Sequence, residues 1–329
     1  MGSMTNGEAA TASGTHHSRL GLMVTRAMRR VILAVAESRS MHRVVQRYGM
    51  RLGAARFVAG ETLDAAVPVL RGLNQQGLLT NTTILGEGVQ SEAETRAVVE
   101  LYVQLLERIH SEEIRTNVAL KLTHLGLALD EALAQENATT IVARAAELGN
   151  FVRFDMEESP YVDPTLRIFR SLRETGRENV GTVLQSYLYR TDDDLESLLD
   201  LAPNLRLVKG AYLEPAAIAY QKKEDVDAAY ARILERSLTA SGFTAIATHD
   251  EALIEHAISF AEREGIPSDR FQFQMLYGVR PKLQLALAAR GFAVLVATPY
   301  GPDWYRYLMR RLAERPANVL FLLRNLVKG

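Results

Sequence analysis

The chain has 329 residues, a hydrophobic fraction of 47% and a formal net charge of −1 at pH 7. That length suits one large domain with an appendage, and the near-neutral charge argues against a protein that acts mainly on nucleic acid. The sequence contains no cysteine, which excludes disulfides, thiolate chemistry and cysteine-based metal sites.

The sequence also bears on the location of the protein and on metal binding. No apolar run reaches the ~18 residues of a membrane span, and no secretory signal pattern is present. The seven histidines show no metal-ligand spacing. We therefore expect a cytoplasmic protein without a metal site.

The amino-terminal part carries most of the charge asymmetry. Residues 1–18 are small and polar, and we expect a disordered tail in which Met1-Gly2-Ser3, ahead of Met4, is typical of a cloning remnant. Residues 19–77 are predicted to form a helical arm. Between residues 19 and 60 there are nine arginines, one acidic residue and no lysine, so this stretch is +8 and the remainder about −9. The arm could lie on an anionic membrane surface at the periphery of the inner membrane, or pack on the acidic remainder.

Residues 78–329 show a repeating pattern of short apolar runs, each followed by a helical stretch. The runs fall at residues 82–85, 117–122, 151–155, 181–185, 205–209, 244–248, 271–275 and 293–297. Successive runs are about 30 residues apart, which is the length of a βα unit. Eight such units predict an α/β fold, a (β/α)8 TIM-type barrel, preceded by the N-terminal helical arm and closed by C-terminal helices.

In such a barrel the active site lies at the carboxyl ends of the strands. Polar or charged residues stand at nearly every predicted strand end: Glu87, Lys121, Asp155, Gln185, Arg206 with Lys209, Thr248 with His249, and the stretch Gln274 to Tyr277. Buried charges are costly unless they are paired, so their convergence on one mouth predicts a site.

A helix predicted after the eighth strand adds an arginine pair. Asp303 can cap this helix and Pro316 should end it. Arg310 and Arg311 are adjacent, so they project about 100° apart and can hold one carboxylate from two sides. For an isolated Arg-Arg pair a solvated basic face is the better interpretation, but this pair follows the last strand and Glu314 lies one turn below Arg310.

These motifs, in this order, resemble the proline dehydrogenase family of flavin-dependent barrel enzymes. The resemblance extends from about residue 61 to 325. It is carried by Leu85-Gly86-Glu87, Val118-Ala119-Leu120-Lys121-Leu122, Phe154-Asp155-Met156-Glu157-Glu158, Leu184-Gln185-Ser186-Tyr187-Leu188, Arg206-Leu207-Val208-Lys209-Gly210-Ala211-Tyr212, Ala247-Thr248-His249, Gln274-Met275-Leu276-Tyr277-Gly278 and Arg310-Arg311-x-x-Glu314.

The resemblance implies FAD as cofactor, L-proline as substrate and a quinone as electron acceptor, in the first step of proline catabolism. It implies that Lys121, Arg310 and Arg311 hold the substrate carboxylate, that Leu276 packs on the proline ring, and that Glu87 is the mobile partner of Arg310. Arg206 would contact the flavin at N5, and Asp155 would lie beside the substrate. The residues that would line FAD are Gln185, Arg206, Lys209, Gly210, Ala211, Thr248, His249 and Glu314.

At one position the sequence departs from the pattern of this family. Many members have Tyr-x-Pro-Tyr-Gly at the eighth strand, whereas this chain has Ala297-Thr298-Pro299-Tyr300-Gly301. Loss of that aromatic wall predicts weaker proline binding and tolerance of 4-hydroxyproline or related cyclic amino acids.

Two alternatives stay open at this point. Lys121 and Lys209 end predicted strands, as the lysine of a Schiff-base aldolase would, although this explains neither the arginine pair nor Gln185. A non-enzymatic barrel scaffold that acts through its basic arm is the third hypothesis, and the polar residues at the strand ends argue against it.

Overall fold

The structure, a computed structural model, describes residues 54–86, 88–240, 242–305 and 307–309. The chain divides into two compact units, one of residues Arg56–Pro302 and one that combines Met1–Ala55 with Asp303–Gly329. The first unit contains all eight strands and most of the described residues. The predicted arm up to residue 53 lies outside the described residues, as do residues 310–329.

Eight parallel strands form a closed barrel in sequence order, from β1 paired with β2 to β8 paired with β1. The strands are β1 (Leu79–Thr82), β2 (Thr116–Lys121), β3 (Val152–Asp155), β4 (Val180–Gln185), β5 (Asn204–Val208), β6 (Phe243–Ala247), β7 (Phe271–Leu276) and β8 (Val294–Ala297). This confirms the (β/α)8 fold that the repeat predicted.

Helices alternate with the strands, after one helix that precedes the barrel. They are α1 (Leu63–Gln75), α2 (Glu92–Ser111), α3 (Glu131–Glu147), α4 (Val162–Glu174), α5 (Thr191–Leu198), α6 (Lys223–Thr239), α7 (Glu251–Arg263) and α8 (Pro281–Ala289). Several begin at a capping side chain; Asp130, for example, accepts a hydrogen bond from the Leu133 amide at 2.8 Å. Helix α1, which falls within the predicted arm of residues 19–77, lies within the unit of the barrel. Among the described helices, none is long and apolar enough to span a bilayer.

The first strand is the one that the sequence misplaced. The prediction put it at residues 82–85, whereas β1 is Leu79–Thr82. Its core sequence, Thr80-Asn81-Thr82, is polar yet buried, so it lacks the apolar signal that marks the other strands. Ile84, which attracted the prediction, forms only an isolated parallel bridge with Tyr300 beyond the strand.

The apolar core lies between the strands and the helices. Phe154 and Leu120 point outward from their strands and are fully buried in one cluster with Tyr102 of α2 and Ile141 of α3. Each such side chain contributes about 1.5–3 kcal/mol on burial. The residues between them on each strand point into the barrel. Because the apolar core lies outside the strands, the barrel interior can hold polar groups.

A buried arginine fills the lower part of that interior. Arg153 of β3 is 2% exposed and donates to the carbonyls of Thr182 at 3.0 Å and Asn204 at 2.6 Å. Burial lowers the pKa of Arg153 well below its usual range, and the charge of Arg206 adds to this effect. Gly181 makes room for the guanidinium, because a Cβ there would collide with Arg153 Nη1 and lie 2.5 Å from the Asn204 carbonyl oxygen.

Replacing Gly181 with alanine is therefore expected to lower the free energy of unfolding by about 1–3 kcal/mol, the usual cost of overpacking. Gly72→Ala is the matched control, because its Cβ would meet no atom within 4 Å and it lies inside helix α1. That variant should gain about 0.5–1 kcal/mol from helix propensity. Denaturant unfolding of both proteins tests the difference, and equal stabilities would contradict the packing described for Arg153.

Candidate active site

The centre of the site is the guanidinium of Arg206 on β5. It is 8% exposed and makes three hydrogen bonds to side chains. Its Nε donates to Gln274 Oε1 at 2.5 Å, Nη1 donates to Asp155 Oδ1 at 2.7 Å, and Nη2 donates to Asn81 Oδ1 at 3.2 Å. These partners belong to β7, β3 and β1, none of which neighbours β5, so the bonds cross the barrel interior.

One carboxylate partly balances this cation. Burial lowers the pKa of Arg206, and the negative charge of Asp155 opposes that shift. The Asp155 side chain is 32% exposed, whereas that of Arg206 is 9% exposed. Asp155 therefore lies nearer to solvent, and Arg206 presents a fixed positive charge deeper in the barrel.

Lys121 and Asp155 end neighbouring strands and are register partners of β2 and β3. In parallel strands register partners point to the same side of the sheet, so both side chains face the barrel mouth. Leu276 and Ala297 are likewise register partners at the ends of β7 and β8. The structure thus places four of the predicted catalytic and substrate-binding residues in two pairs, and the members of each pair lie on neighbouring strands.

A buried carboxylate supports the end of β2. Glu157 is 3% exposed and accepts hydrogen bonds from the Thr123 amide at 3.1 Å and the Thr123 hydroxyl at 2.5 Å. Burial raises the pKa of Glu157, while the positive charge of Lys121 lowers it. Glu157 therefore fixes the turn that follows Lys121.

The residues predicted to line FAD fall on the adjacent ends of β4, β5 and β6. Gln185 is 3% exposed and donates through Nε2 to the Glu157 carbonyl at 3.0 Å. Gly210 has φ +117°, and a Cβ there would collide with the ring of Tyr187. Ala211 follows Gly210 and is partly exposed. Together they form one continuous side of the mouth.

On the same side, β6 continues into a hydrogen-bonded turn. Thr248 Oγ1 accepts from the Asp250 amide at 3.1 Å, and His249 Nε2 accepts from the Leu276 amide at 3.0 Å. The second bond joins the predicted flavin side to the predicted substrate side.

Lys209 is part of a cluster of charges. Its ammonium lies 2.5 Å from Asp227 Oδ1 and 3.1 Å from Asp250 Oδ2, and Lys223 pairs with the same two carboxylates. Lys209 is thus held between two carboxylates just beyond the end of β5.

Four predicted site residues lie outside the described residues, namely Glu87, Arg310, Arg311 and Glu314. Within the described part of the chain, no three His, Cys, Asp or Glu side chains are placed to hold a metal ion.

The sequence did not reveal Asn81 or the contact that Gln274 makes with Arg206, both of which the geometry makes central. Asn81 was hidden because β1 was placed three residues too late. Gln274 was noted at a strand end, but its contact with Arg206 spans 68 residues of sequence. Only the register and closure of the barrel bring these side chains together. The alternation of inward and outward residues could have singled them out if the strand bounds had been known.

A closed parallel barrel with its polar groups gathered at the carboxyl ends of the strands defines the class of (β/α)8 barrel enzymes. The family model described as proline dehydrogenase matches residues 66–324, which is most of the chain. The chain therefore belongs to the proline dehydrogenase family, as the motifs predicted.

Relatives and solved structures agree with this assignment. The chain is 44% identical over 311 residues to the proline dehydrogenase of Deinococcus radiodurans, covering 93% of this chain and 100% of that one. It is 40% identical over 301 residues to proline dehydrogenase 1 of Bacillus subtilis (strain 168), covering 92% of this chain and 99% of that one.

Among solved structures, the proline utilization A (PutA) of Bdellovibrio bacteriovorus inactivated by N-propargylglycine has a TM-score of 0.75 at 25% identity. That comparison covers 83% of this chain and 33% of the other, so the chain spans about a third of the longer protein. The PutA of Corynebacterium freiburgense, at 24% identity, has a TM-score of 0.71 and shares the fold.

Proposed function

We propose that this protein oxidises L-proline to Δ1-pyrroline-5-carboxylate with FAD as cofactor. The observation that carries the proposal is the buried Arg206, held from three strands beside Lys121 and Asp155, in a chain that belongs to the proline dehydrogenase family. When bound, FAD would supply the acceptor for the hydride that leaves C5 of proline.

The residues divide into two groups around the reacting atoms. Lys121, together with Arg310 and Arg311, binds the substrate carboxylate by charge-assisted hydrogen bonds. Leu276 packs on the proline ring, and Asp155 orients Arg206 next to it. Arg206 would place its positive charge beside the reacting ring of the cofactor, and such preorganised charge is effective in a water-poor site.

The described residues fit a flavin on chemical grounds. Arg206 has five N–H groups and uses three of them on Gln274, Asp155 and Asn81, so two donors are left for acceptor atoms of a ring. Gly210 would contribute only backbone groups, because the ring of Tyr187 fills the space that a side chain there would need. Gln185, Lys209, Ala211, Thr248 and His249 would hold the rest of the cofactor, with Glu314.

Product formation tests the proposal and separates it from the Schiff-base alternative. Purified protein with L-proline and an artificial electron acceptor should form a pyrroline that o-aminobenzaldehyde traps. Borohydride added during turnover should leave no substrate adduct on Lys121 or Lys209. A reduced lysine adduct without acceptor consumption would instead support the aldolase-type reaction.

Substrate preference is proposed to be relaxed at Ala297. The side chain at this position is a methyl group next to Leu276, where a tyrosine would add a wall to the ring pocket. We expect Ala297→Tyr to raise the ratio of kcat/KM for L-proline to kcat/KM for 4-hydroxyproline. The expected change corresponds to about 1–3 kcal/mol, the usual contribution of such a contact. Steady-state kinetics with both substrates measures the ratio. An unchanged ratio would mean that another ring, such as Tyr277 or Tyr300, already fills the gap.

The electron acceptor is proposed to be a membrane quinone, reached from the cytoplasmic side. The basic stretch of residues 19–60 has the charge to bind anionic lipid, although most of it lies outside the described residues. Co-sedimentation with anionic vesicles at low salt tests this contact. Absence of binding there would leave packing within the protein as the role of the arm.

A further inference from the structure

The orientation of Arg206 depends on more than its ion pair. Asp155 contacts only Nη1, and a single contact at one end of a guanidinium leaves the plane free to pivot. The bond from Nε to Gln274 and the bond from Nη2 to Asn81 hold the other two corners. Three acceptors on three different strands therefore fix the plane, and with it the directions of the two remaining N–H groups.

Both additional acceptors are built into the barrel interior. Gln274 is 4% exposed and Asn81 is 3% exposed. Asn81 is itself oriented, since its Nδ2 donates to Asn117 Oδ1 at 2.5 Å, so that Oδ1 faces Arg206. A buried amide whose bonds are satisfied in this way has a defined orientation.

The chemical type of these acceptors is as informative as their position. Carboxylates at positions 81 and 274 would hold the guanidinium equally well, but they would cancel its charge. Amide oxygens accept the same hydrogen bonds and carry no net charge. The guanidinium is thus oriented from three sides, and Asp155 is the one of its three partners that carries a negative charge.

We propose that Gln274, assisted by Asn81, is a positioning residue that fixes the guanidinium plane of Arg206 without neutralising it. This inference rests on the proposed function, in which Arg206 acts on the reacting ring of the cofactor. Loss of Gln274 would let Arg206 tilt, and its field at the ring would weaken.

Gln274→Met tests the proposal, with Gln272→Met as the matched control. Gln272 lies two residues earlier on β7, is 7% exposed, and makes no hydrogen bond to Arg206 among the described residues. Gln274→Met should slow anaerobic flavin reduction by saturating L-proline about tenfold or more, an effect typical of groups that orient an active-site partner. It should also lower the reduction potential of the bound flavin, whereas Gln272→Met should change neither quantity.

A double-mutant cycle separates positioning from a general loss of stability. If Gln274 acts through Arg206, then Gln274→Met should have no further effect on the potential in an Arg206→Met background. Additive effects, or a fall in melting temperature without a change in potential, would overturn the proposal. The potential is measured by reductive titration and needs no proline, so its outcome is independent of whether proline is the substrate.

A charged variant covers the case in which the methionine variant binds no flavin. Gln274→Glu keeps the acceptor for Arg206 Nε but adds a negative charge, so it should lower the flavin potential while the melting temperature stays close to that of the parent. A potential equal to that of the parent would overturn the view that a neutral acceptor is required.

Discussion

Replacing Arg206 with methionine is expected to slow flavin reduction by L-proline about 100- to 1000-fold, the usual cost of removing one preorganised group that faces developing charge. The reduction potential of the flavin should also fall, because the reduced ring loses a nearby cation. Stopped-flow reduction under anaerobic conditions gives the rate, and a reductive titration gives the potential.

Arg232→Met is a suitable control for this experiment. Arg232 is a half-exposed arginine of α6 that pairs with Asp192 on the surface. An exposed pair of this kind contributes about 0–1 kcal/mol, so rate and potential should stay at the parent values. An Arg206→Met protein with the parent potential would refute the role given to Arg206, and a loss of stability alone would show that Arg206 mainly holds the barrel interior together.

Replacing Lys121 with methionine is expected to weaken L-proline binding roughly 10- to 100-fold, since a hydrogen bond to a charged group contributes about 1.5–3 kcal/mol. The expected change is in the dissociation constant, with the flavin retained. Arg310→Met and Arg311→Met should act in the same way if the predicted C-terminal helix contributes to the carboxylate site.

A substrate without a carboxylate makes this test specific. Pyrrolidine keeps the ring of proline and lacks the group that Lys121 binds. Lys121→Met should therefore have little effect on the apparent affinity for pyrrolidine. If both compounds lose affinity equally, Lys121 supports the pocket and does not contact the carboxylate.

Much of the fold could be predicted from the sequence because burial and repetition leave a periodic signal. Strands β2 to β8 lie within two residues of their predicted bounds. Strand β1 was misplaced because its buried residues 80–82 are all polar, and one of them, Asn81, is a hydrogen-bond partner of Arg206. The rule that apolar runs mark strands therefore failed at the strand that contributes a polar side chain to the site.

The site divides in the same way. Residues at strand ends, such as Lys121, Asp155 and Gln185, follow from the repeat alone. The contacts of Arg206 with Gln274 and Asn81 do not, because they depend on the closure of the barrel and on the stagger of its strands. The pairing of Lys209 with Asp227 and Asp250 is likewise a product of three separate elements.

The visible absorption spectrum of the purified protein, recorded anaerobically before and after L-proline, tests the central claim most directly. We expect flavin bands in the resting protein that bleach on addition of L-proline and persist with an equal concentration of D-proline. A protein reconstituted with FAD whose bands stay unchanged with L-proline would contradict it.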